Sequence, residues 1–172
     1  TSIYQPAVVQ DPGSKVWTTL EPNDGQASSA GGVALQGNHV VTAGAHWQNG
    51  KLVGTLRRYD LGGAWIATDD GGTKSHTDWT MRPELETAVV GLTGVAVDAD
   101  LNIITVGIAI VAGEPRMYVA RFHADGALAW ELLGEIPAEA QAVGVQPDGT
   151  IWIAGAVRTS TGPDRWDLAV WV

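Results

Sequence analysis

The sequence predicts an all-β chain of β-propeller type. Its four-stranded antiparallel blades number about three and a half over residues 1–172, in one domain. Two observations carry that expectation. A phrase recurs: GVAVDADLNIITVG (Gly94–Gly107) returns as AVGVQPDGTIWIAG (Ala142–Gly155) and, one residue shorter, as GVALQGNHVVTAG (Gly32–Gly44). The chain is also dense in glycine (22) and tryptophan (8) with a single Phe, the composition of many short strands joined by tight turns.

Each copy spells four elements. The first strand alternates, with Val95 and Val97 matching Val143 and Val145. A turn follows, Asp98–Asn102 against Gln146–Thr150, and Gln36-Gly37-Asn38 in the shorter copy. The second strand is apolar and ends at Gly44, Gly107 or Gly155, with Ile103–Val106 matching Ile151–Ala154. The third is Leu52–Tyr59 after Asn49-Gly50, a strong hairpin signal, then Met117–Phe122 after Gly113-Glu114-Pro115, then Trp166–Val172 after Thr161–Asp164. The fourth ends on tryptophan: Arg58–Trp65 corresponds to Arg121–Trp130.

Pro12–Trp17 repeats that ending, with Ala7–Val9 as a third strand before it. The repeat units are therefore about 1–20 (partial), 32–68, 93–133 and 141–172 (partial). Strands apolar on both faces predict sheets stacked face to face, since a lone sheet would carry a polar outer face. A β-sandwich of hairpins would explain the strands but not the matched spacings. Only Glu84–Val90 has a helix-like composition.

From the closing Trp to the next first-strand Val is 16 residues at Trp17–Val33, 13 at Trp130–Val143 and 30 at Trp65–Val95. The excess defines an insertion loop over 69–87. Long loops within compact repeats are often functional.

The net charge of −9, with 10 Lys and Arg in no basic run, disfavours nucleic acid as a partner. The longest apolar run, Ile103–Ala112, is interrupted by Thr105 and Gly107, so no membrane insertion is expected. The absence of Cys excludes disulfides and thiolate metal sites. An opening Thr1 in place of Met suggests a processed or trimmed terminus.

The pattern GVAVDADLNIITVG…MYVARFHADGALAWE resembles the propeller-type repeats of bacterial extracytoplasmic proteins. Among these are the delta-60 and SBBP-type repeats and the tandem repeats of large myxobacterial lipoproteins. The resemblance runs from Trp17 onward and is strongest over Gly94–Gly155; the Leu61-Gly62-Gly63 turn and the insertion depart from it. It implies a propeller and a secreted, periplasmic or cell-surface setting, and no shared catalytic motif.

The insertion holds His76, Asp78, Trp79 and Arg82, a set suited to a ligand loop with Trp79 as an apolar platform. Its competing reading is a solvated loop with Trp79 packed on a neighbouring blade. Trp47, beside Asn49-Gly50, is the second exposed-aromatic candidate. Asp69-Asp70-Gly71-Gly72 lacks the alternating ligands of an EF-hand. Histidines 39, 46, 76 and 123 occur singly, so no metal or other cofactor is expected. Thr1 as an N-terminal nucleophile would belong with helix-flanked sheets, and no catalytic residue is assigned. Trp17, Trp65 and Trp130 hold equivalent positions and are expected to pack between sheets.

An incomplete blade set would leave blade faces open. Val16, Trp17, Trp166 and Trp171 are accordingly expected at an assembly edge, where another copy or another chain completes the propeller. The function expected is a non-catalytic binding or structural module recognising a protein or glycan through its loops. The alternative is a secreted hydrolase or lyase with acids near the axis.

Overall fold

The structure, a computed structural model, describes residues 28–48, 51–61, 89–159 and 166–172. Nine strands are present among them and no helix: β1 (Ser28–Gln36), β2 (His39–Gln48), β3 (Lys51–Asp60), β4 (Val89–Val97), β5 (Ile103–Val111), β6 (Glu114–Phe122), β7 (Leu128–Val145), β8 (Ile151–Arg158) and β9 (Trp166–Trp171). All pairings are antiparallel between chain neighbours, β1-β2-β3 in one sheet and β4 to β9 in a second, curled one.

The curled sheet doubles over at β7. Residues Leu128–Pro137 of this strand pair with β6, and Ala138–Val145 pair with β8. The described chain is thus three stacked layers: β1–β3, then β4–β6 with the first half of β7, then the second half of β7 with β8 and β9.

Alternation of apolar side chains on both faces produces the stack. Val41, Ala43 and Leu56 of the first layer pack on Val95, Ile103, Tyr118, Ala120 and Phe122 of the second. On the opposite face of the second layer, Ile104, Val106, Met117 and Val119 pack on Ala138, Ala140 and Ile153 of the third. Ile103, Ile104 and Val106 are almost wholly buried, each worth about 1.5–3 kcal/mol of transfer free energy. The one polar group between them, Thr105, is satisfied because its hydroxyl donates to the Gly94 carbonyl at 2.9 Å.

The recurring glycines have a common cause. Each layer's first strand carries a bulge at the same place, with register shifts at Ala30/Gly32, Leu92/Gly94 and Ala140/Ala142. The carbonyls of Ser29, Gly91 and Glu139 are thereby set against Gly44, Gly107 and Gly155 of the adjacent strand. A Cβ at any of the three would overlap that oxygen and stand 3.1, 3.0 or 3.0 Å from the next Cα. Only glycine admits so close a backbone.

The first strands also meet across the layers. A Cβ on Gly32 would lie 3.1 Å from the Gly94 Cα, and one on Gly94 would lie 3.3 Å from the Ala142 Cα. These are the three repeat-equivalent positions at which the phrase begins.

One expectation is corrected. The fourth strand of unit 93–133 and the first strand of unit 141–172 run on without a break as β7. Of the stretch with helix-like composition, Glu84–Val90, residues 84–88 lie outside the described residues, and Val89 pairs with Ala109 in β4. Trp130, expected between sheets, is 38% exposed. It pairs with Arg121 on the outermost described strand of the second layer, while the third layer has only three described strands to set against it.

Candidate functional site: the turn end of the stack

Hairpin turns gather at one end of the layers. Three of them share one hydrogen-bond scheme: Asp98 N to Asn102 O with Leu101 N to Asp98 O, His123 N to Ala127 O with Gly126 N to His123 O, and Gln146 N to Thr150 O with Gly149 N to Gln146 O. The scheme needs a left-handed residue at its fourth position. Gly126 (φ 95°) and Gly149 (φ 87°) supply it, whereas Leu101 adopts φ 64° as a non-glycine. Aspartates brace all three: Asp98 Oδ1 accepts from Asp100 N and Asn102 N, Asp125 Oδ1 from Ala127 N, and Asp148 Oδ1 from Thr150 N. The Asp/Gly turns therefore have the structural role their composition predicts.

Two equivalent latches tie turns to third strands. In the second layer Arg121 donates to Asp98 Oδ2 at 2.6 Å, and Asn102 Nδ2 donates to the same oxygen at 3.0 Å. In the first layer, Arg58 Nη1 donates to Gln36 Oε1 at 3.3 Å. The register makes Gln36 the counterpart of Asp98 and Arg58 that of Arg121, since Leu35 pairs with Val40 and Val97 with Ile103.

The first latch also reaches across the layers. Gln36 Nε2 donates to the carbonyls of Leu101 (2.8 Å) and Ala124 (3.0 Å), and Arg58 Nη1 donates to Ala124 O at 3.0 Å. Further along the second interface, Thr93 Oγ1 donates to Ala140 O at 2.6 Å.

Electrostatics follow from this geometry. Burial pushes the Asp98 carboxyl up, but hydrogen bonds from Asn102 and the charge of Arg121 outweigh it and hold the group below the usual carboxylate range. Burial lowers the Arg58 guanidinium, which Asp125 partly offsets. The Asp148 carboxyl is lowered chiefly by the Thr150 backbone N–H. A carboxylate with both oxygens engaged, like Asp98, positions a turn and is poorly placed to move protons.

The solvent-facing part of this end is made by Asn38, Asp100, His123, Asp125 and Asp148, all exposed. Among the described residues no group of three or more His, Asp or Glu side chains is placed to hold a metal ion. No described helix is long and apolar enough to cross a membrane.

The residues singled out from sequence fall as follows. His76, Asp78, Trp79 and Arg82 lie outside the described residues, as do Val16 and Trp17. Trp47 lies in β2, paired with Leu52. Trp166 and Trp171 divide: Trp166 is exposed on the outer face of β9, and Trp171 packs inward against the core shared by the second and third layers. The Gln36–Arg58 latch was not anticipated. Its signal was the repeated Arg-aromatic pair, Arg58-Tyr59 and Arg121-Phe122, set opposite a polar turn residue. No protein-family model matches the chain, and no curated protein matches it.

Proposed function

We propose that the chain is a run of β-propeller-type blades acting as a non-catalytic binding module of an extracytoplasmic bacterial protein, with a protein or glycan bound through its loops. The three-fold recurrence of bulge and glycine, with the two first-strand contacts between layers, supports the blade reading, because it repeats one sheet-on-sheet relation. The observation that carries the binding reading is the turn end. Its buried polar groups are committed to bracing loops, and the side chains left facing solvent sit on stiff hairpins rather than in a cleft. Rigid loops on a scaffold are the usual place for recognition.

The test is retention of labelled protein on an array of polysaccharides and glycans. Binding should be lost on Trp79→Ala or on combined Asp100→Ala and Asp125→Ala substitution, with unchanged far-UV circular dichroism. Release of new reducing ends from the arrayed glycans would overturn the reading in favour of a hydrolase or lyase.

A further inference from the structure

Among the described residues the third layer is one strand narrower than the second, and the difference falls at an apolar shelf. Pairing across the second layer sets Gly94, Val106, Val119 and Leu132 in one row on the face toward the third. The third layer sets Val143, Ile153 and Trp171 against it. The rows meet at one end, where a Cβ on Gly94 would stand 3.4 Å from the Val143 N, and their apolar members from Val106 and Val143 to Val119 and Trp171 share one core. Leu132 is outside that core and 53% exposed, and Trp130, on the same face of β7, is 38% exposed.

The edge beside this shelf is open. Among the described residues β9 pairs with β8 alone, whereas its counterpart β6 carries β7 on its far side. Alternate N–H and C=O groups of β9 therefore point away from the ladder. Sheet edges are commonly blunted by bulges, proline or charge. The first strands β1 and β4 and the second half of β7 each carry a bulge. In contrast, β9 keeps an unbroken register, and Leu168–Val172 holds neither proline nor a charged residue.

We propose that β9 and the shelf of Trp130 and Leu132 form an acceptor for an extended segment of another protein, one with an apolar side chain at every second position. The segment adds to β9 as an antiparallel strand, as β7 does to β6, and continues the interface between the second and third layers. Its backbone extends the ladder, and its residue opposite Trp171 lies over Leu132. The chain itself leaves this shelf exposed. The β9 of a second copy does not fit, because antiparallel pairing about a two-fold axis puts the inward faces of both strands on the same side. In that copy Trp171 already packs on the core its own second layer helps to form, and this layer would collide with β7 of the first. The acceptor is a strand edge and not the loops of the turn end, so the loop-binding reading does not depend on it.

The probe is a fluorescein-labelled peptide, KTVTVTVTK, titrated with the full chain and followed by fluorescence anisotropy. Saturable binding is expected. Leu132→Lys should weaken it by about tenfold or more with unchanged circular dichroism. Leu168→Lys, on the opposite face of β9, should change it by less than about twofold. Only alternate N–H groups of an added strand face the acceptor. Peptides N-methylated at all valines or at all threonines should therefore differ, one binding as before and the other not at all.

Absence of binding to the wild-type chain overturns the proposal, as does equal tolerance of both methylated peptides. Weakening by Leu168→Lys but not by Leu132→Lys also overturns it, by placing the peptide on the outer face of the third layer.

Discussion

Gly107→Ala tests the physical basis of the repeat. The new Cβ overlaps the Gly91 carbonyl and stands 3.0 Å from the Leu92 Cα, both backbone, so no side chain can yield. The bulge in β4 must open. That forfeits about two ladder hydrogen bonds at about 1 kcal/mol each. Forcing the buried backbone apart adds about 1–3 kcal/mol. The less flexible unfolded chain returns about 0.4–1 kcal/mol.

The net cost is about 2–4 kcal/mol, a fall in Tm of roughly 5–15 °C for a chain of this size. Urea unfolding followed by tryptophan fluorescence and circular dichroism measures it, with an unchanged m-value showing that the same state unfolds. Gly134→Ala is the control: its Cβ would meet Met117 at 3.4 Å, an ordinary contact, and should shift stability by less than about 1 kcal/mol. Gly44→Ala and Gly155→Ala should behave like Gly107→Ala. If Gly107→Ala proved no worse than Gly134→Ala, the bulge would not be what requires glycine.

Three further outcomes follow from the turn end. Leu101→Gly should raise stability by about 1 kcal/mol by relieving a left-handed leucine, and Gly149→Ala at the equivalent turn should lower it by about 1–2 kcal/mol; thermal melts compare the two directly. Asp98 has a folded pKa below its unfolded value of about 3.9. Its contribution is therefore present above that pH and lost as pH falls through the folded pKa, so Asp98→Asn should flatten the acid limb of stability against pH and leave the slope above pH about 5 unchanged. Gln36→Ala should cost about 1–3 kcal/mol by withdrawing the donors that join two layers. A double-mutant cycle with Arg58→Met should give a coupling of about 0.5 kcal/mol or more, and strict additivity would dissolve the latch.

Much of the fold was legible because strands and turns leave local marks. Alternating valines located β4 and the second half of β7, the matching phrase located β1, and the Asp, Asn and Gly turns located the hairpins that join them to their partners. What remained hidden depends on register. β7 runs unbroken through Gly134 and Pro137. Pro137 stands opposite Arg116 as the last residue of β7 paired with β6, and pairing with β8 begins at Ala138, so the proline sits at the end of one ladder and not within it. The extra residue of each bulge, Gly31, Thr93 or Gln141, has no shared side-chain type and so left no signal in the sequence, although its consequence did, one strand later, as a glycine.

The latch was hidden for a different reason. Gln36 meets Ala124 across 88 residues of chain, and nothing local to either distinguishes them. Of the candidate site, the turns and their aspartates could be read from composition, whereas the arginine that fixes each turn needed the pairing of the third strand. The exposed position of Trp130 also depended on how many strands lie over it.

The unbroken course of β7 bears on how the molecule yields. In a stack of repeats, stability is the sum of what each unit holds alone and what it gains from its neighbour. A strand hydrogen-bonded to β6 along its first half and to β8 along its second makes part of that neighbour term main chain rather than side chain. Peeling β9 and β8 away would leave the second half of β7 unpaired and uncover Ile104 and Val106, so partial opening costs nearly as much as full opening. Amide protons of β5, β6 and β8 should therefore exchange together, with one opening free energy for the second and third layers.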